Sequence, residues 1–175
     1  MKSFLLYMLV VLVCVACAGD TKTKDADTSG LHILTPVEPE HHAPERMPIS
    51  DVTTRFSFQG KPCEAQIFRT PDETLDKVTD EGGNEFIDNR ITLRVTTGGR
   101  TVVDRTFTKA SFASVVDGQF LRHALLEGIV YDTVTAQGMV FAASVSYPQS
   151  DLYVPIRLTF TAGGHVSMET EDLLE

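Results

Sequence analysis

From Thr53 onward, apolar and polar residues alternate with a period of two. In TRFSFQGKPCEAQIFR, Phe56 and Phe58 stand against Arg55, Ser57 and Gln59; after a turn at Gly60-Lys61-Pro62 the alternation resumes through Ala65 and Ile67. Successive side chains of a strand point to opposite faces, so this pattern predicts a hairpin with one buried face. ITLRVTTGGRTVVDRTF repeats the form, with Ile91, Leu93 and Val95 on one face, Thr92, Arg94 and Thr96 on the other, and a two-residue turn at Gly98-Gly99. GIVYDTVTAQGMVFAASVSYP turns near Gln137-Gly138, and its second arm, Met139 to Val145, is apolar or small on both faces, which places it centrally in a sheet. VPIRLTFTAGGHVSMETE points Val154, Ile156, Leu158 and Phe160 inward and turns at Gly163-Gly164. Four successive hairpins predict an all-β domain (mainly β with one short helical insertion), an antiparallel meander forming a sandwich or an open barrel.

The insertion is TKASFASVVDGQFLRHALLEG. Phe112, Val115 and Val116 follow helical spacing, as do Phe120 with Ala124 and Leu121 with Leu125. Thr108 or Ser111 is placed to cap the first segment, and Gly118 to divide the region into two short helices. Such a segment either plugs one end or face of the sheet or runs as an irregular crossover between hairpins.

The first fifty residues follow neither period. Lys2 precedes a run from Phe4 to Ala16 that is apolar apart from Tyr7, the n-region and h-region of a secretory signal and too short to span a bilayer comfortably. The run ends in VLVCVACAGD, where Cys14-Val15-Ala16-Cys17 resembles a bacterial lipobox, although Cys14 stands where leucine is usual. The resemblance implies cleavage after Ala16 and a lipid on Cys17. A redox C-x-x-C needs a strand before it and a helix after it, and a zinc site needs a second ligand pair; Cys63, the third cysteine, has no cysteine or histidine beside it. Residues 1–16 thus read as a signal peptide and 17–50 as a polar, proline-rich tether, in which TPVEPEHHAPERMP holds four prolines in fourteen residues. Leu31, Ile33 and Leu34 interrupt the tether as a candidate short strand docked on the domain. Residues 51–175 form the single antiparallel domain.

Charge narrows the range of partners. The chain carries 15 Lys and Arg against 24 Asp and Glu, a formal net charge of −9, which argues against nucleic acid and against electrostatic attachment to anionic lipid. With Cys14 removed, Cys17 acylated and Cys63 alone, no internal disulfide is expected, and the fold must rest on its core. Cys63, alternating with Ala65, is expected as a small buried thiol.

The densest polar cluster is TPDETLDKVTDEGGNEFIDNR, residues 70–90. Asp80, Glu81, Asn84 and Asp88 are its candidate ligand- or metal-binding residues, with Ca²⁺ as the cation that such oxygen donors suit. Gly82 and Gly83 occupy positions where an EF-hand loop wants Asp or Asn, and the same composition makes a solvated connection in which Asp88-Asn89 satisfies turn amides. His41 and His42, between Glu40 and Glu45, suit only adventitious metal binding, and His123 and His165 lie far apart in sequence. There is no G-x-S-x-G, H-E-x-x-H, P-loop or G-x-G-x-x-G, so no catalytic residue is assigned and no cofactor other than Ca²⁺ is suggested. Tryptophan is absent, leaving Tyr131, Tyr147 and Tyr153 to line any groove.

TLDKVTDEGGNEFIDNRITL, RTFTKASF, LEGIVYD and FAASVSYPQSDLYVPIRLTF resemble the blocks of a lipoprotein family of unknown function found in Bacteroidetes, over residues 51–172. The resemblance implies a lipid-anchored, mainly β envelope protein and transfers no catalytic residue. The expected protein is exported and lipid-anchored in the bacterial cell envelope, at the outer membrane, and serves as a non-enzymatic ligand-binding or protein-interaction module. Its expected partners are the membrane, through the anchor, and a small molecule, peptide or envelope protein. The alternatives are an envelope hydrolase that pairs carboxylates from Asp80, Glu81 and Asp88, and a structural subunit of an envelope complex, recognisable by a large exposed apolar patch.

Overall fold

The computed structural model describes residues 42–171. The signal peptide, Cys17, Leu31, Ile33, Leu34 and His41 lie outside the described residues. Strands β2 (Ser50–Phe58), β3 (Lys61–Pro71), β6 (Asn89–Thr97) and β7 (Arg100–Phe107) form one antiparallel sheet in the order β2-β3-β6-β7. Strands β8 (Leu125–Val134), β9 (Met139–Ser146), β10 (Tyr153–Phe160) and β11 (Val166–Thr170) form a second, in the order β11-β10-β9-β8. The four expected hairpins are present, and β9 is central as its two-sided apolar sequence required. The alternation is observed too: Ile91, Leu93 and Val95 are fully buried, while the other face of that sheet carries the cross-strand pairs Arg55–Glu64 and Arg94–Asp104.

The two sheets share one core as an open sandwich, and no barrel closes. Phe56 of β2 stacks on Tyr131 of β8 with ring centroids 4.4 Å apart, and Tyr131, Phe141 and Phe160 continue the contact edge to face. The crossover between sheets holds a 3-10 turn over Lys109–Phe112 and helix α1 (Gly118–His123). The Ser111 hydroxyl accepts from the Thr108 amide, and Asp117 caps α1 by accepting from the amides of Gln119 and Phe120. Gly118 therefore opens the second helix. Phe112, Val116, Leu121 and Ala124 enter the core, so the crossover also fills the space between the sheets.

Two features differ from expectation. The first turn falls at Gln59-Gly60, both with positive φ (51° and 72°), one residue earlier than Gly60-Lys61-Pro62; Pro62 is the second residue of β3, ahead of the first β3–β6 pair at Cys63–Thr97, where its missing amide donor breaks no ladder. The acidic stretch 70–90 also contains β4 (Val78–Thr79) and β5 (Glu85–Ile87). With β1 (Glu45–Arg46), which runs parallel to β5, they make a small mixed sheet ordered β1-β5-β4. Val78 and Phe86 bury against Leu125, giving this sheet a core of its own. The folded region therefore reaches back to Glu45, within the proline-rich stretch.

Gly138 is buried where the β8–β9 turn meets the end of β10, and a Cβ there would collide with the backbone carbonyl of Phe160. Gly138→Ala is expected to destabilise the fold by about 1–3 kcal/mol through overpacking, read as a lower urea midpoint. Gly128→Ala, whose Cβ would meet nothing within 4 Å, is the control and should shift the midpoint little.

Candidate functional site

The carboxylates of residues 70–90 are used locally or turned apart. Asp72 accepts from the Thr74 amide and hydroxyl (2.9 and 2.6 Å) and from Arg90 Nε (2.5 Å). These contacts, the Thr74 hydroxyl first, lower its carboxyl to about 2. Asp80 closes the β4–β5 turn by accepting from Asn84 Nδ2 (2.9 Å) and the Asn84 amide (2.8 Å), which hold its carboxyl below its usual value. Lys77 pairs with Glu85. Among the described residues, no three His, Cys, Asp or Glu side chains gather closely enough to hold a metal ion. Asp80, Glu81 and Asn84 stay together on the turn, whereas Asp88 leaves them for the interior, 1% exposed.

Two adjoining clefts open at this end of the sandwich, on either side of the β9–β10 loop. The first, about 500 Å³, is lined by Glu45 through Pro48, including Arg46, by Leu125 and Glu127 of β8, and by Tyr147 through Asp151 of the loop. The second, about 470 Å³, is lined by Asp80 and Glu81 of the β4–β5 turn, His123 at the end of α1, and Tyr147 through Ser150 with Leu152. Phe120 stacks on Tyr147 at 4.6 Å and His123 meets it edge-on at 6.0 Å, so the shared wall is fixed by aromatic packing. Gln149 donates to Glu45 (2.8 Å), linking the loop to β1. Glu81 and Asp151 are exposed and make no hydrogen bond or ion pair among the described residues. Of the expected groove tyrosines only Tyr147 lines these clefts; Tyr131 packs against Phe56 and Phe141, and Tyr153 is exposed.

A polar cluster centred on buried Asp88 and Asn89 adjoins residues that line the first cleft. Asp88 Oδ1 accepts from the amides of Leu126 (2.8 Å) and Asn89 (2.7 Å), and Lys109 Nζ stands 3.5 Å from Oδ2, an ion-pair distance rather than a hydrogen bond. Asn89 donates to the Leu126 carbonyl (2.9 Å) and to Met47 Sδ (3.1 Å). Arg69 donates to the carbonyls of Glu127 (2.6 Å) and Pro48 (3.2 Å), and Lys109 to that of Ala124 (3.0 Å). Burial raises the Asp88 carboxyl above its usual value, outweighing the amide hydrogen bonds and the Lys109 charge that pull it down. The Asp88-Asn89 pair was visible in the sequence as a turn device; its bonds to Leu126, across the fold, were not. Lys109 and Arg69 had no sequence signal at all, because each looks like one more charge on a helix or strand. Cys63 is buried with its sulfur 3.2 Å from Thr97 Oγ1, and His165 lies exposed at the β10–β11 turn.

The chain belongs to the family described as Domain of unknown function (DUF4738), whose match covers residues 32–168. No curated protein matches it.

The Asp72 and Asp88 carboxyls act in opposite directions with pH. The Asp72 carboxyl is lowered from 3.8 to about 2, so its stabilisation is present above pH 4 and is lost as pH falls towards 2. The Asp88 carboxyl is raised, so its contribution favours folding at low pH and is lost as pH rises through its folded value. Asp72→Asn should lower the urea midpoint at pH 6, and the gap from the parent protein should close between pH 4 and pH 2. A gap that stays constant over that range would show that the Asp72 charge is not the stabilising element.

Proposed function

We propose that this member of the DUF4738 family is a non-enzymatic ligand-binding module of the bacterial cell envelope, exported and held at the outer membrane by lipid on Cys17. The ligand sits in the twin clefts around Tyr147–Asp151. The observation that carries this reading is the adjacency of the two clefts, which share one aromatic-backed loop and together can take an extended segment. Glu81 and Asp151, without an ion pair among the described residues, together with Glu45 and Glu127 outnumber Arg46 along the clefts and favour a ligand that carries Lys or Arg side chains, and the apolar lining from Met47, Leu125 and Tyr147 suits their aliphatic stems. The binding reading is preferred to a carboxylate-pair hydrolase because Asp88 is buried against Lys109, away from Asp80 and Glu81. Asp80, for its part, has its carboxylate engaged by the turn.

Two measurements test the proposal in cells. Metabolic labelling with a fatty acid should mark the parent protein and not Cys17→Ala; label retained in the variant would refute the anchor. A photo-crosslinking residue at Leu152, 59% exposed beside the second cleft, should give a discrete adduct that Glu81→Lys with Asp151→Lys abolishes. The same residue at Thr106, on the outer face of the first sheet, should give none. Equal yields from the two positions would refute the cleft as the site.

A further inference from the structure

We infer that Lys109, Asp88, Asn89 and Arg69 together stand in for a neighbouring strand along the free edge of β8, and that this side-chain ladder positions the walls of the clefts. The inference deepens the binding reading and rests on it. β8 is an outer strand: β9 pairs with it on one side, and no strand of the described residues pairs with it on the other. At its start, the edge-facing groups are nevertheless occupied. The Ala124 carbonyl accepts from Lys109, the Leu126 amide donates to Asp88, the Leu126 carbonyl accepts from Asn89, and the Glu127 carbonyl accepts from Arg69. Glu127 is the residue that the β8–β9 register skips between Leu126 and Gly128, so a bulge accompanies the fourth rung. The four rungs come from β3, from the β5–β6 junction and from the 3-10 turn, so no single backbone strand could supply them.

The gripped segment runs between the two clefts. His123, which lines the second, immediately precedes it, and Leu125 and Glu127 within it line the first. Arg69 and Asn89 each also reach the opposite wall of the first cleft, at the Pro48 carbonyl and Met47 Sδ. These two side chains therefore tie the Met47-Pro48 lining segment to the start of β8 from behind the cleft surface and set the spacing of the two segments. Arg69 needs its planar fork for this, since it holds two carbonyls at once. These are positioning residues: none of the four lines either cleft.

The test uses Arg69→Met and Arg69→Lys in the full chain, with native-state amide exchange and the affinity for a hexalysine peptide as readouts. Loss of Arg69 should accelerate exchange of the Leu126 amide about tenfold, the size expected for one net hydrogen bond, while the Ile156 amide in β10 keeps its rate. Hexalysine affinity should fall along with Leu126 protection, and Arg69→Lys should not restore either, whereas a role in charge alone would be rescued. Lys109→Met, read in the same way, replaces Arg69→Met if that variant does not fold. Leu126 and Ile156 accelerating together, an unchanged Leu126, or unchanged affinity despite a loosened Leu126 would each overturn the inference. A parent protein that fails to bind hexalysine would refute the cationic-ligand reading, and the exchange result would still decide whether the ladder exists.

Discussion

Leu126 is the residue on which the join between the two sheets depends. Its side chain is buried in the shared core, and its amide and carbonyl are both taken by side chains from the β5–β6 junction. A backbone amide or carbonyl buried without a partner costs about 1–3 kcal/mol, so an outer strand turned into the interior needs either another strand or polar side chains of the right reach. Here Asp88 and Asn89 meet that need, and their own burial then requires Lys109 and Met47 as neighbours. The cluster is not fully satisfied: Asp88 Oδ2, Asn89 Oδ1 and Arg69 Nε are buried with no hydrogen-bond partner among the described residues. A network of this kind specifies one arrangement of chain more than it adds stability.

The same region shows how one sequence run can serve opposite electrostatic ends. Asp72, Asp80 and Asp88 lie within seventeen residues, yet the first two are held ionised by hydrogen bonds at the surface and the third is pressed towards neutrality by burial. Environment, not residue type, separates them. The acidic loop is therefore not one site. It contributes a capped turn to one cleft, two short strands to the small sheet, and a buried carboxylate to the join.

The hairpins were legible because each carries its own record: at least one arm of alternating or continuously apolar residues and a glycine-bearing turn, as at Gly98-Gly99. The Gly60 turn was misplaced by one residue because positive φ at Gln59 has no sequence mark and Pro62 looked like part of the turn. The small sheet was illegible for a related reason. β1 and β4 have two residues each, too few for any period, and the core of the small sheet closes when Val78 and Phe86 meet Leu125, which is remote in sequence. Asp80, Glu81 and Asn84 were recognised as a group and do share one turn, whereas Asp88 parted from them because Leu126 claims it. The clefts could not be read at all, since they arise from how three separate loops meet.

The topology has a further consequence for how the chain assembles. No strand is exchanged between the sheets: residues 50–107 complete the first and residues 125–170 the second, each strand pairing with the next in sequence or across the short β4–β5 excursion. Every backbone ladder thus closes within one half, at small loop-closure cost, and nothing but side chains joins the halves. The two sheets are thus separate backbone ladders that bury their apolar faces against each other and against the crossover, in one shared core. Proteolytic nicking in the crossover, between Phe112 and Gly118, would therefore cut no strand and leave two fragments with complementary apolar faces, able to recombine as partners do.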